Sequence, residues 1–383
     1  MSTTALILPG GGARAAYQAG VLSGIADWYG DSETAVPFPV IAGTSAGAMN
    51  AAFLAANMPH FGAAAERLAA LWSQLEVEQV YRPEYRKVFG VILHWAWSLL
   101  SGGLGQSNPR SLLDNSPLRE LLAENIDFEA IARHIDTGLL RGIAVTVAGY
   151  TTERSLSYFQ AAAGVQSWWR QRREGRPTKI NLDHVMASLG LPVVFPAVKI
   201  AGEWCGDGST RQFAPLSPAI HLGAERILIV DTQYPAPQKS QSQDGAYPSL
   251  SRVTGYLFDT VFSDSLYADL ERAQRINHTL DYVTQETGHT PVGLGLNPIE
   301  TMVIAPSRRP VEIAARHVAR LPKAMRWILR ALGGEAEGGD QLLSYMLFQG
   351  AYCREMVALG RQDAHARRQE ISRFLGLSKV RAA

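Results

Sequence analysis

Val40-Ile41-Ala42-Gly43-Thr44-Ser45-Ala46-Gly47-Ala48-Met49-Asn50 joins a short apolar run, a glycine-flanked serine and the start of an alanine-rich stretch that continues to Ala56. A brief apolar run that ends in turn residues reads as a buried strand, and strong helix formers after it read as a helix. Ser45 therefore falls on a strand-to-helix turn. Such a turn is tight and strained, and Gly43 and Gly47 flank it because side chains there would collide with the strand or with a bound molecule. The helix that begins at Ala46 aims its free amides and the positive end of its dipole at the same point, which stabilises negative charge developing beside the hydroxyl. Ser45 is the candidate nucleophile. A turn used only for close helix packing is the alternative, and the strand–turn–helix context weighs against it.

The same β-turn-α arrangement occurs at the N-terminus, where Ala5-Leu6-Ile7-Leu8 leads through Pro9-Gly10-Gly11-Gly12 into a helical pattern from Ala13 to about Trp28. Further strand candidates lie at Ile143–Ala148, Val193–Ile200, Ile227–Val230 and Met302–Ala305. Strands alternating with helices predict an α/β fold, a mostly parallel central sheet flanked by helices. Residues 60–133 read as a helical insertion able to cover a site, with helix starts at Ser116-Pro117 and at Asp127. A main unit over 3–232 is followed by a Pro-, Gln-, Ser- and Gly-rich loop at 233–251 and a mainly helical C-terminal extension at 252–383. In that extension, helical spacing of apolar residues appears over Leu257–Asp281, Val311–Ala331 and Leu342–Leu359. No internal repeat is evident.

Composition excludes several classes. The 383 residues are 46% hydrophobic and 19% charged, as in an ordinary folded chain, and the net charge of +1 argues against a nucleic-acid binder that works by neutralising phosphates. Cys205 and Cys353 are far apart, so no disulfide framework or CxxC metal pattern is present, and a reducing compartment fits. Met1–Leu8 lacks a basic region and a long apolar core and reads as a strand rather than a signal. No apolar stretch reaches the roughly 20 residues of a membrane-spanning helix. The longest, Val88 to Leu100, is shorter and carries His94. The expected location is cytoplasmic or peripheral at the inner membrane surface.

Three glycine-flanked clusters carry the chemistry. Successive glycines after the first strand leave the amides of Gly10, Gly11, Gly12, Ala13 and Arg14 accessible to a carbonyl oxygen, which is the design of an oxyanion hole. Gly10-x-Gly12-x-x-Ala15 also imitates a dinucleotide fingerprint, but Asp31 and Glu33 do not end a clear second strand as that reading requires. Asp207, between Gly206 and Gly208, projects from a turn at a strand end and is the candidate base. Anion site, nucleophile and carboxylate are the minimum for transfer of an acyl group from an ester to water. His184 and His221 are the candidates for an ordinary triad, although both read better as capping or surface residues. Cys205 has no basic neighbour to activate it and reads as a packed strand residue.

The blocks Gly10-Gly11-Gly12-Ala13-Arg14-Ala15-Ala16-Tyr17-Gln18-Ala19-Gly20-Val21-Leu22, Gly43 to Asn50, and Ala187-Ser188-Leu189-Gly190-Leu191-Pro192 with Phe195-Pro196 and Asp207-Gly208 resemble, in order, those of the patatin-like phospholipases. The resemblance covers roughly residues 3 to 232. It implies a three-layer fold and a lipid acyl hydrolase, phospholipase A-like, in which Ser45 and Asp207 form a dyad without histidine and the Gly10–Arg14 backbone is the oxyanion site, with no cofactor and no metal. Ala15 replaces the family's usual last glycine of the first block, and Ser209 replaces its usual Gly or Ala, adding a hydroxyl able to bond Asp207. Other readings are a lipid- or acyl-binding protein with a vestigial dyad, or a hydrolase of thioesters or hydroxyalkanoate polymers. The implied partner is a lipid or other acyl ester, not nucleic acid. Segments 88–100, apolar with tryptophans, and 316–330, basic and amphipathic, are the candidate contacts with a membrane surface. Oligomeric state is left open.

Overall fold

Along the first strand, Leu6 and Leu8 point to one face of the sheet and Ala5 and Ile7 to the other, and all four are buried. A strand buried on both faces needs helices on both sides. The computed structural model describes residues 2–29, 36–58, 60–82, 111–235, 265–289, 296–317 and 340–377. Within them the strands are β1 (Thr4–Leu8), β2 (Val40–Thr44), β3 (Gly142–Gly149), β4 (Ser155–Ala161), β5 (Trp168–Arg170), β6 (Arg173–Pro177), β7 (Val198–Ile200), β8 (Glu203–Asp207), β9 (Arg226–Val230) and β10 (Glu300–Ile304). The main path runs β10-β9-β1-β2-β3-β4-β6-β5, with β8 pairing β3 and β7 pairing β8. From β10 to β3 every pair is parallel; β3–β4, β3–β8, β5–β6 and β7–β8 are antiparallel.

The helices of the first half are α1 (Ala16–Tyr29), α2 (Ala46–Asn57), α3 (Phe61–Gln74), α4 (Val77–Val80), α5 (Ser116–Asn125), α6 (Phe128–Asp136) and α7 (Leu182–Ser188). The second half adds α8 (Ser217–His221), α9 (Ser265–Thr287), α10 (Pro310–Ala315), α11 (Asp340–Met346), α12 (Gly350–Ala366) and α13 (Arg368–Phe374). α1, α2, α3 and α12 contribute to one core layer, and α8 and α9 to the layer on the opposite face. The expected α/β architecture is present. Both expected helix starts occur: α5 carries Pro117 in its first turn, and Asp127 caps α6 by accepting from the amides of Glu129 and Ala130.

Three readings need correction, and three strands went unread. The run Val193–Ile200 is a strand only from Val198; Pro192 and Pro196 interrupt it, Val193 sits at φ 72°, and its carbonyl and that of Val194 accept from Leu112 and Leu113. The strands β4, β5 and β6 at this end of the sheet were illegible because serines alternate with the apolar residues of buried β4, and β5 and β6 carry arginine and glutamate rather than an apolar run. The helical pattern from Ala13 opens as a 3-10 turn, Gly12–Ala15, before α1. The continuous helix over Leu342–Leu359 is two helices, broken at Leu347–Gln349, where Phe348 packs on Trp72 and Tyr81.

The C-terminal part joins this body directly. β10 extends the sheet beside β9, and α12 lies on α1 so closely that a methyl on Gly20 would stand 2.0 Å from the Val357 carbonyl. Segment 88–100 lies outside the described residues, as do all of 316–330 but Arg316 and His317, which both pair with Glu355. Residues 236–251 of the expected loop, residues 257–264 before α9, and Asp31 and Glu33 also fall outside. Among the described residues no helix is long and apolar enough to cross a membrane, and no group of His, Cys, Asp and Glu is placed to hold a metal.

Candidate active site

Ser45 occupies the turn between β2 and α2 at φ 54°, ψ −130°, a backbone conformation that side-chain-bearing residues rarely adopt. Its carbonyl accepts the first bonds of α2, from Ala48 and Met49, which leaves the amides of Ala46 and Gly47 outside the helical ladder. Gly47 lies against β1: a β-carbon on it would stand 2.0 Å from the Leu8 carbonyl oxygen. The neighbouring strand, rather than a bound molecule, therefore excludes a side chain here. Gly43 is equally tight, since its β-carbon would meet the Gly47 carbonyl at 2.4 Å.

Asp207 ends β8, which pairs antiparallel with the end of β3 and so returns the chain to the end of the sheet where β2 delivers Ser45. The Ser45 hydroxyl donates to Asp207 Oδ2 at 2.6 Å, across 162 residues of sequence. Oδ1 accepts from the Ser209 amide at 2.9 Å. Both side chains are buried, Ser45 at 5% and Asp207 at 1% exposure. Burial pushes the Asp207 carboxyl up to about 6, against smaller opposing effects of the Ser45 and Ser209 hydrogen bonds. The Ser209 hydroxyl is buried near this carboxylate but makes no well-aligned hydrogen bond; its amide does the bonding.

Ser188, at the end of α7, accepts from the Ser45 amide at 2.8 Å and donates to the Thr146 carbonyl at 2.7 Å. It holds the backbone of the strained turn to β3. Sequence reasoning assigned it no role, and a lone serine inside an apolar helical pattern carries no signal for one.

The opening loop lies beside Ser45 and Asp207. Gly12 lines the same cavity as Ser45, Ala46 and Asp207. Its φ of 53° favours glycine, and a β-carbon would reach 2.2 Å from the Tyr345 carbonyl oxygen. The first bond of the 3-10 turn runs from the Arg14 amide to the Gly11 carbonyl, so the amides of Gly12 and Ala13 lie ahead of it and are not used by the turn. Gly10 accepts from the Thr232 hydroxyl, which also sits where a side chain on Gly11 would be. The Arg14 side chain is buried elsewhere. Its Nε donates to Ser344, its Nη1 to Gln233 Oε1 at 2.6 Å, and its guanidinium lies 3.8 Å over the Tyr345 ring. Asp231, buried and pushed up to about 6 by desolvation, fixes the loop behind it through the amides of Thr232 and Gln233 and the Tyr267 hydroxyl.

The remaining walls are Leu189, Leu191, Phe195, Tyr345, Met346 and Phe348. Three of these six come from the end of α11 and the break after it, so the C-terminal region lines the cavity. The cavity is only about 30 Å³, the space of roughly one water. None of its lining residues is a histidine. His184 caps α7 through Asn181, and desolvation lowers its pKa; His221 bonds the Ser217 carbonyl and stacks on Trp168. Cys205 is buried in β8 with its thiol pushed up to about 11, chiefly by burial.

A family profile described as patatin-like phospholipase matches residues 6–220, more than half of the chain. No curated protein matches. Among solved structures, VipD from Legionella pneumophila is similar over 79% of this chain and 61% of its own, at 14% identity and a TM-score of 0.30. ExoU from Pseudomonas aeruginosa, in complex with SpcU, is similar over 97% of this chain and 78% of its own, at 14% identity and a TM-score of 0.26. This chain thus spans less than two thirds of the VipD chain. The likeness to both is remote, and family membership rests on the profile match, which contains the end of β1, the Ser45 turn and Asp207. The chain belongs to the patatin-like phospholipase family.

Proposed function

We propose that this protein is a lipid acyl hydrolase that cleaves carboxylic esters through Ser45 and Asp207 with an acyl-enzyme intermediate. One observation carries this reading: the 2.6 Å hydrogen bond from Ser45 to a buried carboxylate, with no imidazole bonded to either side chain among the described residues. Asp207 takes the serine proton as Oγ attacks the ester carbonyl. The amides of Gly12 and Ala13, with those of Ala46 and Gly47 at the start of α2, are the donors available to the developing oxyanion. The alcohol leaves with a proton, and Asp207 then activates the water that releases the acid. A carboxylate near 3.9 is a poor base at neutral pH, and burial brings Asp207 closer to the working range. The Ser209 amide bonds the Asp207 carboxylate, while its buried hydroxyl makes no well-aligned hydrogen bond, which favours a working base over a vestigial one.

A fluorophosphonate is expected to label the protein at one position, located to Ser45 by peptide mass, and to be excluded by prior incubation with a slowly hydrolysed ester. Labelling elsewhere, or none while a fluorogenic ester is being turned over, would refute the assignment.

The base acts in its ionised form, and its folded pKa lies above the ordinary 3.8, so kcat/KM is expected to fall as pH drops through about 6. A profile from pH 4.5 to 8 measures this. Asp231 titrates in the same range but does not touch the dyad, so Asp231→Asn is expected to leave the acid limb in place. A profile that stays flat down to pH 4.5 would show that no carboxylate raised to that range serves as the base.

Ser188→Ala removes the partner of both the Ser45 amide and the Thr146 carbonyl inside a dry site. We expect a loss of about 1–3 kcal/mol of stability and a tenfold or larger fall in kcat with KM nearly constant. An unchanged kcat beside the lost stability would confine Ser188 to a packing role.

A further inference from the structure

On the opposite face of the sheet, between the β4-β5-β6 edge and α8, lies a second cavity of about 320 Å³, at the small end of the range for ligand sites. Its walls combine Arg170, Arg172 and Arg173 with the hydroxyls of Ser155, Ser157 and Ser217. The two faces of this edge differ in how their charges are used. On the outer face Arg176 pairs with Glu174 and Glu203, and Arg154 with Glu174. On the cavity face, none of Arg170, Arg172 and Arg173 has a carboxylate within ion-pair distance among the described residues. Arg173 Nε is buried without any hydrogen-bond partner, a costly arrangement for a cation. Asp269 is the acid nearest to Arg173, and it is already engaged by the Leu216 amide and by Arg272, which adds a further positive charge.

The apolar side of the cavity is fixed. Trp168 is held by stacking against Phe159 and His221 and borders the cavity, and Phe213 is more than half exposed at the rim. Guanidinium groups grouped without an ion-paired carboxylate, beside serine hydroxyls and aromatic side chains, match a phosphate oxyanion carried on a small organic body. A carboxylate would satisfy one fork and leave the others unpaired.

We infer that this cavity is a binding site for a phosphate ester, separate from the Ser45–Asp207 site. The ligand is either the headgroup of an anionic phospholipid or a free organophosphate. The cavity is joined to the dyad by a chain of hydrogen bonds. Ser157 bonds Thr146 at 3.2 Å, the Thr146 carbonyl accepts from Ser188, and Ser188 holds the Ser45 amide.

The test uses binding, not hydrolysis, so that it stands apart from the proposed activity. The full chain carrying Ser45→Ala is titrated calorimetrically with sn-glycerol 3-phosphate and with inorganic phosphate. It is also cosedimented with phosphatidylcholine vesicles with and without phosphatidic acid. Saturable one-site binding of glycerol 3-phosphate, weakened at least tenfold in Arg170→Gln/Arg173→Gln, supports the site with a soluble ligand. Binding only to vesicles that contain phosphatidic acid, lost in the same double variant, supports it with a lipid headgroup. Arg172→Glu, an exposed change, repeats the comparison should the double variant melt lower than the parent. The inference is overturned if neither probe binds, or if binding survives both the double variant and Arg172→Glu unchanged.

Discussion

Ser45→Ala is expected to lower kcat for ester hydrolysis by about 10⁴- to 10⁶-fold, the range seen when a nucleophile that acts as part of a unit is removed. Asp207→Asn is expected to fall into the same range, because the two side chains are hydrogen-bonded at 2.6 Å and in the proposed mechanism act as one proton-transfer pair, so that the loss of either disables both. The two variants then differ in a way that separates chemistry from folding. Ser45→Ala leaves Asp207 as a buried carboxylate with only the Ser209 amide for support. Its proton affinity rises further, and the protein keeps its fold. Asp207→Asn places an amide nitrogen against either the Ser209 N–H or the Ser45 hydroxyl, so either one donor faces another or Ser45 has to accept where it had donated. Activity on a fluorogenic ester, beside thermal melts of each variant, measures both. Retention of more than a tenth of the parental kcat by Ser45→Ala would defeat the proposed mechanism.

The second large effect is expected at Gly47. On helix propensity alone, alanine in α2 would gain about 1 kcal/mol over glycine. The β1 backbone reverses that sign. The new β-carbon would sit 2.0 Å from the Leu8 carbonyl oxygen and 2.6 Å from that of Pro9, and a methyl has no rotamer with which to escape. α2 must move away from β1, carrying Ser45 with it. Gly47→Ala is expected to cost about 3 kcal/mol or more, in the class of overpacked cores, and at least 10²-fold in kcat, the penalty for an ångström of misplacement. Gly138→Ala is the comparison: its φ is 77° but nothing lies within 4 Å, so only the backbone penalty of about 1 kcal/mol applies. Urea unfolding of the pair measures the difference. Equal midpoints would mean that the contact between α2 and β1 yields easily.

The parts legible in the sequence are those in which local pattern and local structure coincide. The Ser45 turn needs an apolar strand before it, glycines beside it and helix formers after it, and all of these are neighbours along the chain. The same holds for the Gly10–Gly12 loop after β1. The roof of the site was illegible for the opposite reason. Tyr345, Met346 and Phe348 fall on a helical apolar pattern, and only the packing of Phe348 on Trp72 and Tyr81 shows why the helix breaks there. Arg14 was read for its amide, whereas its side chain reaches 330 residues along the chain to Ser344. Ser188 and the polar edge strands likewise take their meaning from partners that no local window contains.

The seating of α12 on α1 bears on how the polypeptide matures during synthesis. Gly20 faces Val357, Gly360 faces Tyr17, and the Tyr17 hydroxyl bonds Asp363, a residue that leaves the ribosome 346 positions later. Every strand from β1 to β10 must emerge before that groove is filled. Contacts of such sequence separation form slowly, and until then the apolar side of α1 is a surface that chaperones are built to shield.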